Sequence, residues 1–429
     1  MPEETSGPAS AESACDSRIS CTKDEYESPQ EEDYPDGGLR AWLVVAGAMC
    51  NSFATFGYAN SWGVFQSYYQ EELLIHTSPS SIAWIGSIQY ALMFLPGLIV
   101  GRLFDQGYLR AVYLPSSAVI VIATFLVAEC KEYWHFLLCQ GIAIGLASSG
   151  VFSSTPAIIA HWFKKRRGVA ISFYAIGVSL GGTILPIVAR FLIASVGFRW
   201  AMRTFGFILM VALGMSNLLL RRRLPPGKVE GGLVNLTAFK YAPYSFYCLS
   251  GLIIFLGLYT LLTYVAVTAV SIGISQEFAF YFVAIANASS LAGRFMGGVA
   301  CDRLGAMNTM IPTTIASAAI TYGWPYARTK GSLIAVTVLY GYFSGIYISL
   351  TTLPLMAMGE TADVGRRIGM FFSIMAVGSL AGPPISGAIS SGPGGFAAVG
   401  FYAGSCMLVG VGLITVSRYL ILGRWMGKI

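Results

Sequence analysis

The chain has 429 residues, 55% of them hydrophobic and only 11% charged, with a formal net charge of +6. Ordinary soluble domains carry roughly 25% charged residues, so this chain cannot cover itself with water-compatible groups, and a soluble helical protein is excluded. The charge is also uneven: residues 1–36 hold eleven of the 21 Asp and Glu and two Lys or Arg, a net −9, which leaves +15 on the remainder.

In chain order, residues 1–38 read as a disordered, acidic cytoplasmic head. Its acids, Glu31, Glu32 and Asp33 among them, stand between Ser and Pro with almost nothing to bury, and the apolar core of a secretory signal is missing. Six charge-poor stretches follow, at 41–65, 82–101, 111–129, 135–159, 168–189 and 200–220. A polar linker over 221–244 separates them from six more, at 245–268, 278–300, 308–326, 331–352, 368–390 and 397–418. Each is long enough to cross about 30 Å of hydrocarbon at about 1.5 Å per residue. The expected fold is an all-α membrane protein with twelve transmembrane helices in two six-helix, pseudo-symmetric bundles, 39–220 and 245–420, followed by a cytoplasmic tail, 421–429.

A weak internal repeat supports two matching halves. Gly101-Arg102-Leu103-Phe104-Asp105 ends the second stretch and Gly298-Val299-Ala300-Cys301-Asp302-Arg303 ends the eighth, the two aspartates 197 apart. Pro156 and Pro354 lie 198 apart, while Arg166-Arg167 and Arg366-Arg367, like Ser179-Leu180-Gly181-Gly182 and Ser379-Leu380-Ala381-Gly382, lie 200 apart. Repeated bundles of this size in a membrane chain enclose a cavity between them, which points to a transporter. With the head placed in the cytoplasm, the inner loops collect fourteen Lys and Arg and the outer loops six. That asymmetry places both termini and the linker on the cytoplasmic side. The triplets at Asn235 and Asn287 would then lie in the cytosol and in the bilayer, where neither is glycosylated.

The paired Gly-x-x-x-Asp elements resemble the loop signature of the major facilitator superfamily. Asp36-Gly37-Gly38-Leu39-Arg40-Ala41-Trp42 resembles the opening signature of its monocarboxylate porter family, and Trp162-Phe163-Lys164-Lys165-Arg166-Arg167-Gly168-Val169-Ala170 the second one. Asn60-Ser61-Trp62-Gly63-Val64-Phe65-Gln66 is similar to the fungal branch. The resemblance covers residues from about 35 to 429. It implies that Asp105 and Asp302 pair with basic groups and helix N-termini across the inner face, with Gly101, Gly298, Arg166 and Arg303 completing a conformational latch.

Arg294 falls inside the eighth stretch among apolar and small neighbours. A cation at mid-bilayer costs roughly 2.5 to 3.5 kcal/mol, so it should face a cavity or a partner, and the resemblance implies that it holds an anionic substrate. Asn60, Tyr264, Tyr347 and Asn51 are the other candidate substrate-binding residues, on the stretches that line the cavity by family analogy, the first, fourth, seventh and tenth. Two departures limit the analogy: animal members carry a lysine and an aspartate where this chain has Asn60 and Ser290, and neither replacement titrates near neutral pH. Glu360 and Asp302 remain as proton acceptors, so co-transport of a proton is open on this residue set.

The string Gly177-Val178-Ser179-Leu180-Gly181 matches a nucleophile elbow but lies within a membrane stretch, away from any triad partners. His76, His135 and His161 share no metal-ligand spacing, and the eight cysteines form no Cys-x-x-Cys pair. No enzyme, metal or cofactor is therefore expected. The expected partners are the lipid bilayer and a small organic solute, monocarboxylate-like or a secondary metabolite, with no nucleic acid. No nucleotide-binding loop occurs, so a gradient should drive transport. Plasma membrane is the expected location and a vacuolar one its rival. A solute sensor with a transporter fold is the alternative function, disfavoured by the short tail.

Overall fold

The computed structural model describes residues 34–225, 232–424 and 427–428. Most of the expected acidic head lies outside this range, but Tyr34 to Gly37 do not belong to a disordered segment, because hydrogen bonds fix them against the rest of the chain. Among the described residues every regular element is helical.

The first four helices are α1 (Gly38–Leu73), α2 (Pro79–Asp105), α3 (Leu109–Val127) and α4 (Tyr133–Ala160). Helix α1 runs eight residues beyond its hydropathy boundary, through polar Gln66, Gln70, Glu71 and Glu72. Its last turn widens into a π-helix at Tyr69–Leu73, and there the Tyr69 hydroxyl donates to Gln140 Oε1 of α4 at 2.6 Å. The next run, Arg167–Leu219, is interrupted at Gly197, whose φ of 80° and ψ of 163° are non-helical and suit only glycine. It therefore comprises α5 (167–196) and α6 (198–219). Helix α7 (Ala242–Ser271) follows a linker that includes one short turn, Leu236–Lys240.

Helices α8 (Tyr281–Leu304) and α9 (Ala306–Gly323) are less apolar, because α8 carries Asn287, Ser290 and Arg294 and α9 carries Asn308 and four threonines. Helices α10 (Lys330–Ala357), α11 (Thr361–Ser390) and α12 (Gly395–Leu422) complete the chain. Nine described runs are long and apolar enough to cross a membrane; with the division at Gly197 and the addition of α8 and α9, this is consistent with the expected twelve. Pro156 and Pro354 each open a short final helical turn after a break in α4 and α10.

Matching contacts build the two halves. Gly177 and Gly181 of α5 lie against the Met49 and Phe53 carbonyls of α1, as Gly378 and Gly382 of α11 lie against the Leu252 and Leu256 carbonyls of α7. A Cβ at any of these four positions would collide with backbone oxygen. Ser216 of α6 donates to the Gly47 carbonyl at 2.7 Å, and Ser417 of α12 donates to the Pro243 carbonyl at 2.7 Å. These hydroxyls find their partners inside the protein, as a bilayer requires.

Two seams join the halves. Leu98 N donates to Ser373 Oγ, and that hydroxyl donates to the Leu95 carbonyl, tying α2 to α11. Helices α5 and α8 meet along most of their length, from Arg190 over the Phe280 ring to Gly168 beside Gly298. Tyr34 and Lys428 both reach the end of the bundle that holds Asp302, Lys164 and Thr361. This end is called the terminal face below.

Candidate translocation cavity and gate

A narrow slot with a cavity volume of about 80 Å3 lies between the halves. Eight of its twenty lining residues are aromatic, and Arg294 is its single charged side chain.

The helical period explains how Arg294 gets there. Gly293 turns toward α10 and lies against the Tyr342 carbonyl, and the next residue, about 100° further round the helix, meets α5. Asn287, Ser290 and Arg294 share one stripe. Asn287 Nδ2 donates to the Gly182 carbonyl (3.3 Å), Ser290 Oγ meets Ser179 Oγ (2.5 Å), and Arg294 Nη1 donates to the Ala175 carbonyl (3.1 Å). Each step along α8 is matched by the same step back along α5, so the two helices pair antiparallel through polar groups.

Arg294 is only 3% exposed, yet its Nε has no hydrogen-bond partner, and the buried Tyr174 hydroxyl beside the same cleft also lacks one. The ion pairs among the described residues involve Arg199, Arg203 and Arg366, so no carboxylate neutralises Arg294 there. A buried guanidinium with an unused N–H is costly unless something anionic completes it.

Of the other candidate binding residues, Asn60 lines the cleft, with its Nδ2 on the Phe56 carbonyl at 2.8 Å. The remaining three do not line it. Asn51 donates to Thr155 Oγ1 at 2.6 Å and to the Val151 carbonyl, holding α1 on α4. Tyr264 donates to the Pro383 carbonyl at 3.1 Å, holding α7 on α11. Tyr347 is buried in α10 against Phe255. In a bilayer a polar side chain is first used to bind a neighbouring helix, and Asn51 and Tyr264 follow that rule. Tyr90, Phe94, Tyr174 and Phe372 line the cleft from α2, α5 and α11, helices outside the four expected to do so. Hydropathy gave no sign of them, since an aromatic ring reads the same whether it faces lipid or a cavity.

The terminal face is shut by two equivalent clamps. Asp105 of α2 accepts from the Gly365 and Arg366 amides of α11 at 3.0 and 2.7 Å, and Asp302 of α8 accepts from the Gly168 and Val169 amides of α5 at 2.7 and 3.1 Å. A carboxylate on the first amides of a helix meets its orphan donors and its positive dipole end. Gly101 and Gly298 let the helices close: a Cβ at Gly101 would strike the Gly365 carbonyl, and one at Gly298 would strike Ser172.

The two carboxylates are 197 residues apart, and so are the amides that donate to them, so Arg366 matches Val169. The repeat that pairs Arg166 with Arg366 at 200 is not the structural one. Arg166 and Arg303 are exposed and their side chains belong to neither clamp, while the Arg166 amide donates to Asp36 Oδ1 at 3.3 Å; the clamps are made with helix N-terminal amides, as the resemblance implied, and not with basic side chains. Arg222 supports the first clamp by donating to the Phe104 and Asp105 carbonyls at the end of α2.

A third contact crosses the same face. Asp36 Oδ1 accepts from the Lys164 and Lys165 amides, both at 2.6 Å, just ahead of α5. Two residues earlier, the Tyr34 hydroxyl meets Thr361 Oγ1 of the other half at 3.1 Å, while Lys164 and Arg167 lie over its ring. The chain thus enters α1 by passing beneath the gate.

His161, buried on this face against Phe104, has its pKa lowered to about 3 by burial and by Arg222, Arg167 and Arg223. It stays neutral in the folded protein while the unfolded chain protonates near pH 6.5, so this contribution to stability is present above about 6.5 and is lost as pH falls toward 3. At pH 5 the loss is about 2 kcal/mol. The melting temperature of the detergent-purified protein should therefore drop between pH 7.5 and 5, and drop less in His161→Phe; an equal drop in both would remove His161 as the cause.

Residues 47–361 match the family profile of the Major Facilitator Superfamily. The chain belongs to that superfamily. Among curated relatives, the aspyridones efflux protein apdF of Emericella nidulans is 37% identical over 390 residues, covering 90% of this chain and 79% of that one. The MFS transporter asaE of Aspergillus flavus is 35% identical over 409 residues, covering 94% and 92%. Among solved structures, the human organic anion transporter MFSD10 superposes with a TM-score of 0.70 at 17% identity, covering 87% of this chain and 98% of that one. The E. coli fucose:proton symporter FucP does so with 0.69 at 14%, covering 89% and 99%. These two establish the fold. As a superfamily member the chain is a secondary transporter of a small organic solute, and its two seams and central slot are the parts that alternating access needs.

Proposed function

We propose that this protein exports an anionic organic solute, a secondary metabolite, across the plasma membrane, and that it is a fungal monocarboxylate porter-like member of its superfamily. The observation that carries the anion is Arg294, buried, without a carboxylate partner, and with an unused N–H beside the cleft. Direction is supported by the efflux function in the name of the apdF relative. The family rests on the Asp36-Gly37-Gly38 opening and the Trp162 to Ala170 signature. Lys and Arg crowd the loops of the terminal face, so that face is cytoplasmic. The lining contains no Asp or Glu, so a co-transported proton would travel on the solute or on the gate acids.

The gate consists of Asp105, Asp302 and the Tyr34–Asp36 strap, which hold the cytoplasmic side shut and release together when solute enters from the cell. Asp36→Ala frees the Lys164 and Lys165 amides and costs the closed face about 1 kcal/mol, roughly a fivefold shift in population. A cysteine introduced at Ser349, which lines the slot, should then be labelled faster from the cytoplasmic side, and unchanged labelling would remove the strap from the gate.

Comparative mass spectrometry of cells and medium tests the whole reading, using the native host with the gene deleted, restored, or restored as Arg294→Ala. An anionic compound should accumulate in deletion cells and leave only with the wild-type gene. A medium component that goes unconsumed without the gene would reverse the direction, and no difference at all would refute the assignment.

A further inference from the structure

One part of the slot is walled by rings from five helices. Phe152 of α4 packs edge-on to Phe56 of α1 at 4.7 Å and to Phe94 of α2 at 5.7 Å, and runs nearly parallel to Tyr174 of α5 at 6.1 Å. Phe372 of α11 closes the set from the other half, 5.1 Å from Phe152 and 6.0 Å from Phe94. All five rings belong to the lining of the same cleft as Arg294. This is more aromatic surface than a two- or three-carbon acid uses. Such an acid would leave this ring wall wetted, whereas a flat conjugated body in the narrow slot lies against it and gains from offset and edge-on contact.

From the ring cluster, the narrow slot and the unpartnered Arg294 and Tyr174 groups together, we infer that the solute is a planar, conjugated monoanion. Its charged group sits on Arg294 and the Tyr174 hydroxyl while its ring system lies against the wall formed by Phe56, Phe94, Phe152 and Phe372. This rests on the anionic reading above and adds the shape and the apolar part of the solute. Only one cation lines the slot, so a single negative charge is matched and a second would be buried without a partner. Phe152 and Phe372 are then specificity-determining residues: they sort conjugated acids from short ones by the apolar body that reaches them.

Binding to the purified full chain tests this with three probes: 2-naphthoate, the neutral 2-naphthylmethanol and acetate. Saturable naphthoate binding is expected, at least about tenfold tighter than either of the other two. Phe152→Leu with Phe372→Leu should weaken naphthoate about tenfold without changing acetate, and Arg294→Gln should bring naphthoate down to the level of the alcohol. The wild-type series stands without any variant, so poor folding of a variant does not decide the matter. Acetate binding as tightly as naphthoate, no naphthoate binding, or ring substitutions without effect would overturn the inference. Alcohol binding as tightly as naphthoate, with Arg294→Gln silent, would instead overturn the anion assignment while the ring arm still reported on the aromatic body.

Discussion

Arg294→Gln should reduce transport by about a hundredfold or more, while the protein still inserts, folds and melts no lower than wild type. The loss follows from removing a charge-assisted, fork-shaped contact worth about 3 kcal/mol to a bound anion. The retained stability follows because the buried guanidinium is itself a burden: it is 3% exposed with one N–H unmatched, and a cation at this depth costs a few kcal/mol. Arg294→Lys separates charge from geometry. It keeps the cation but lacks the planar fork, so it should transport weakly and fail to regain the Ala175 carbonyl and the solute together. Uptake or efflux by Arg294→Gln at the wild-type rate in proteoliposomes would end the case for this residue as the binding group.

Loss of either gate carboxylate should shift the resting protein toward the form open at the terminal face, and Asp105 should matter more than Asp302. Each carboxylate takes two backbone donors across the seam, and hydrogen bonds to a charged group are worth about 1.5 to 3 kcal/mol. Asp105 is 1% exposed, so Asp105→Ala leaves the Gly365 and Arg366 amides buried and unmatched. Asp302 is partly exposed, and water can replace it in part. We expect a population shift of about a hundredfold for Asp105→Ala and about tenfold for Asp302→Ala, read as faster cytoplasmic labelling of a cysteine at Ser349 and slower net transport. Equal, small effects would show that the face is held by packing at Gly101 and Gly298 instead.

The helices were legible because a bilayer imposes length and apolarity on each pass, and the clamps because Gly101/Asp105 and Gly298/Asp302 repeat. The resemblance implied helix N-termini as partners of those acids, and the amides at the starts of α11 and α5 are such termini; which residues supply them was not legible. Backbone amides carry no side-chain signal, and the arginines near the motifs, Arg166 and Arg303, drew attention to the surface. Arg294 stood out by its cost, and the structure sets it at the slot as the only charge. Asn51, Tyr264 and Tyr347 read as equally plausible binding groups, since a side chain that bonds a neighbouring helix and one that bonds solute look alike in one dimension. The rings of Phe94, Phe152 and Phe372 were hidden for the opposite reason, apolar residues being the background of every span.

The polar pairing of α5 with α8 also restricts how the halves move. Asn287, Ser290 and Arg294 meet Gly182, Ser179 and Ala175 at intervals of three and four residues. A slip of α8 along α5 therefore finds new partners only after a whole helical turn, about 5.4 Å. Any shorter slip strands a buried donor between two acceptors, at a cost of about 1 to 3 kcal/mol for each group. Tilting about the seam breaks none of these bonds at its axis. The α5–α8 line thus resists sliding along its length, which leaves tilting as the motion that frees the Asp302 clamp at its end.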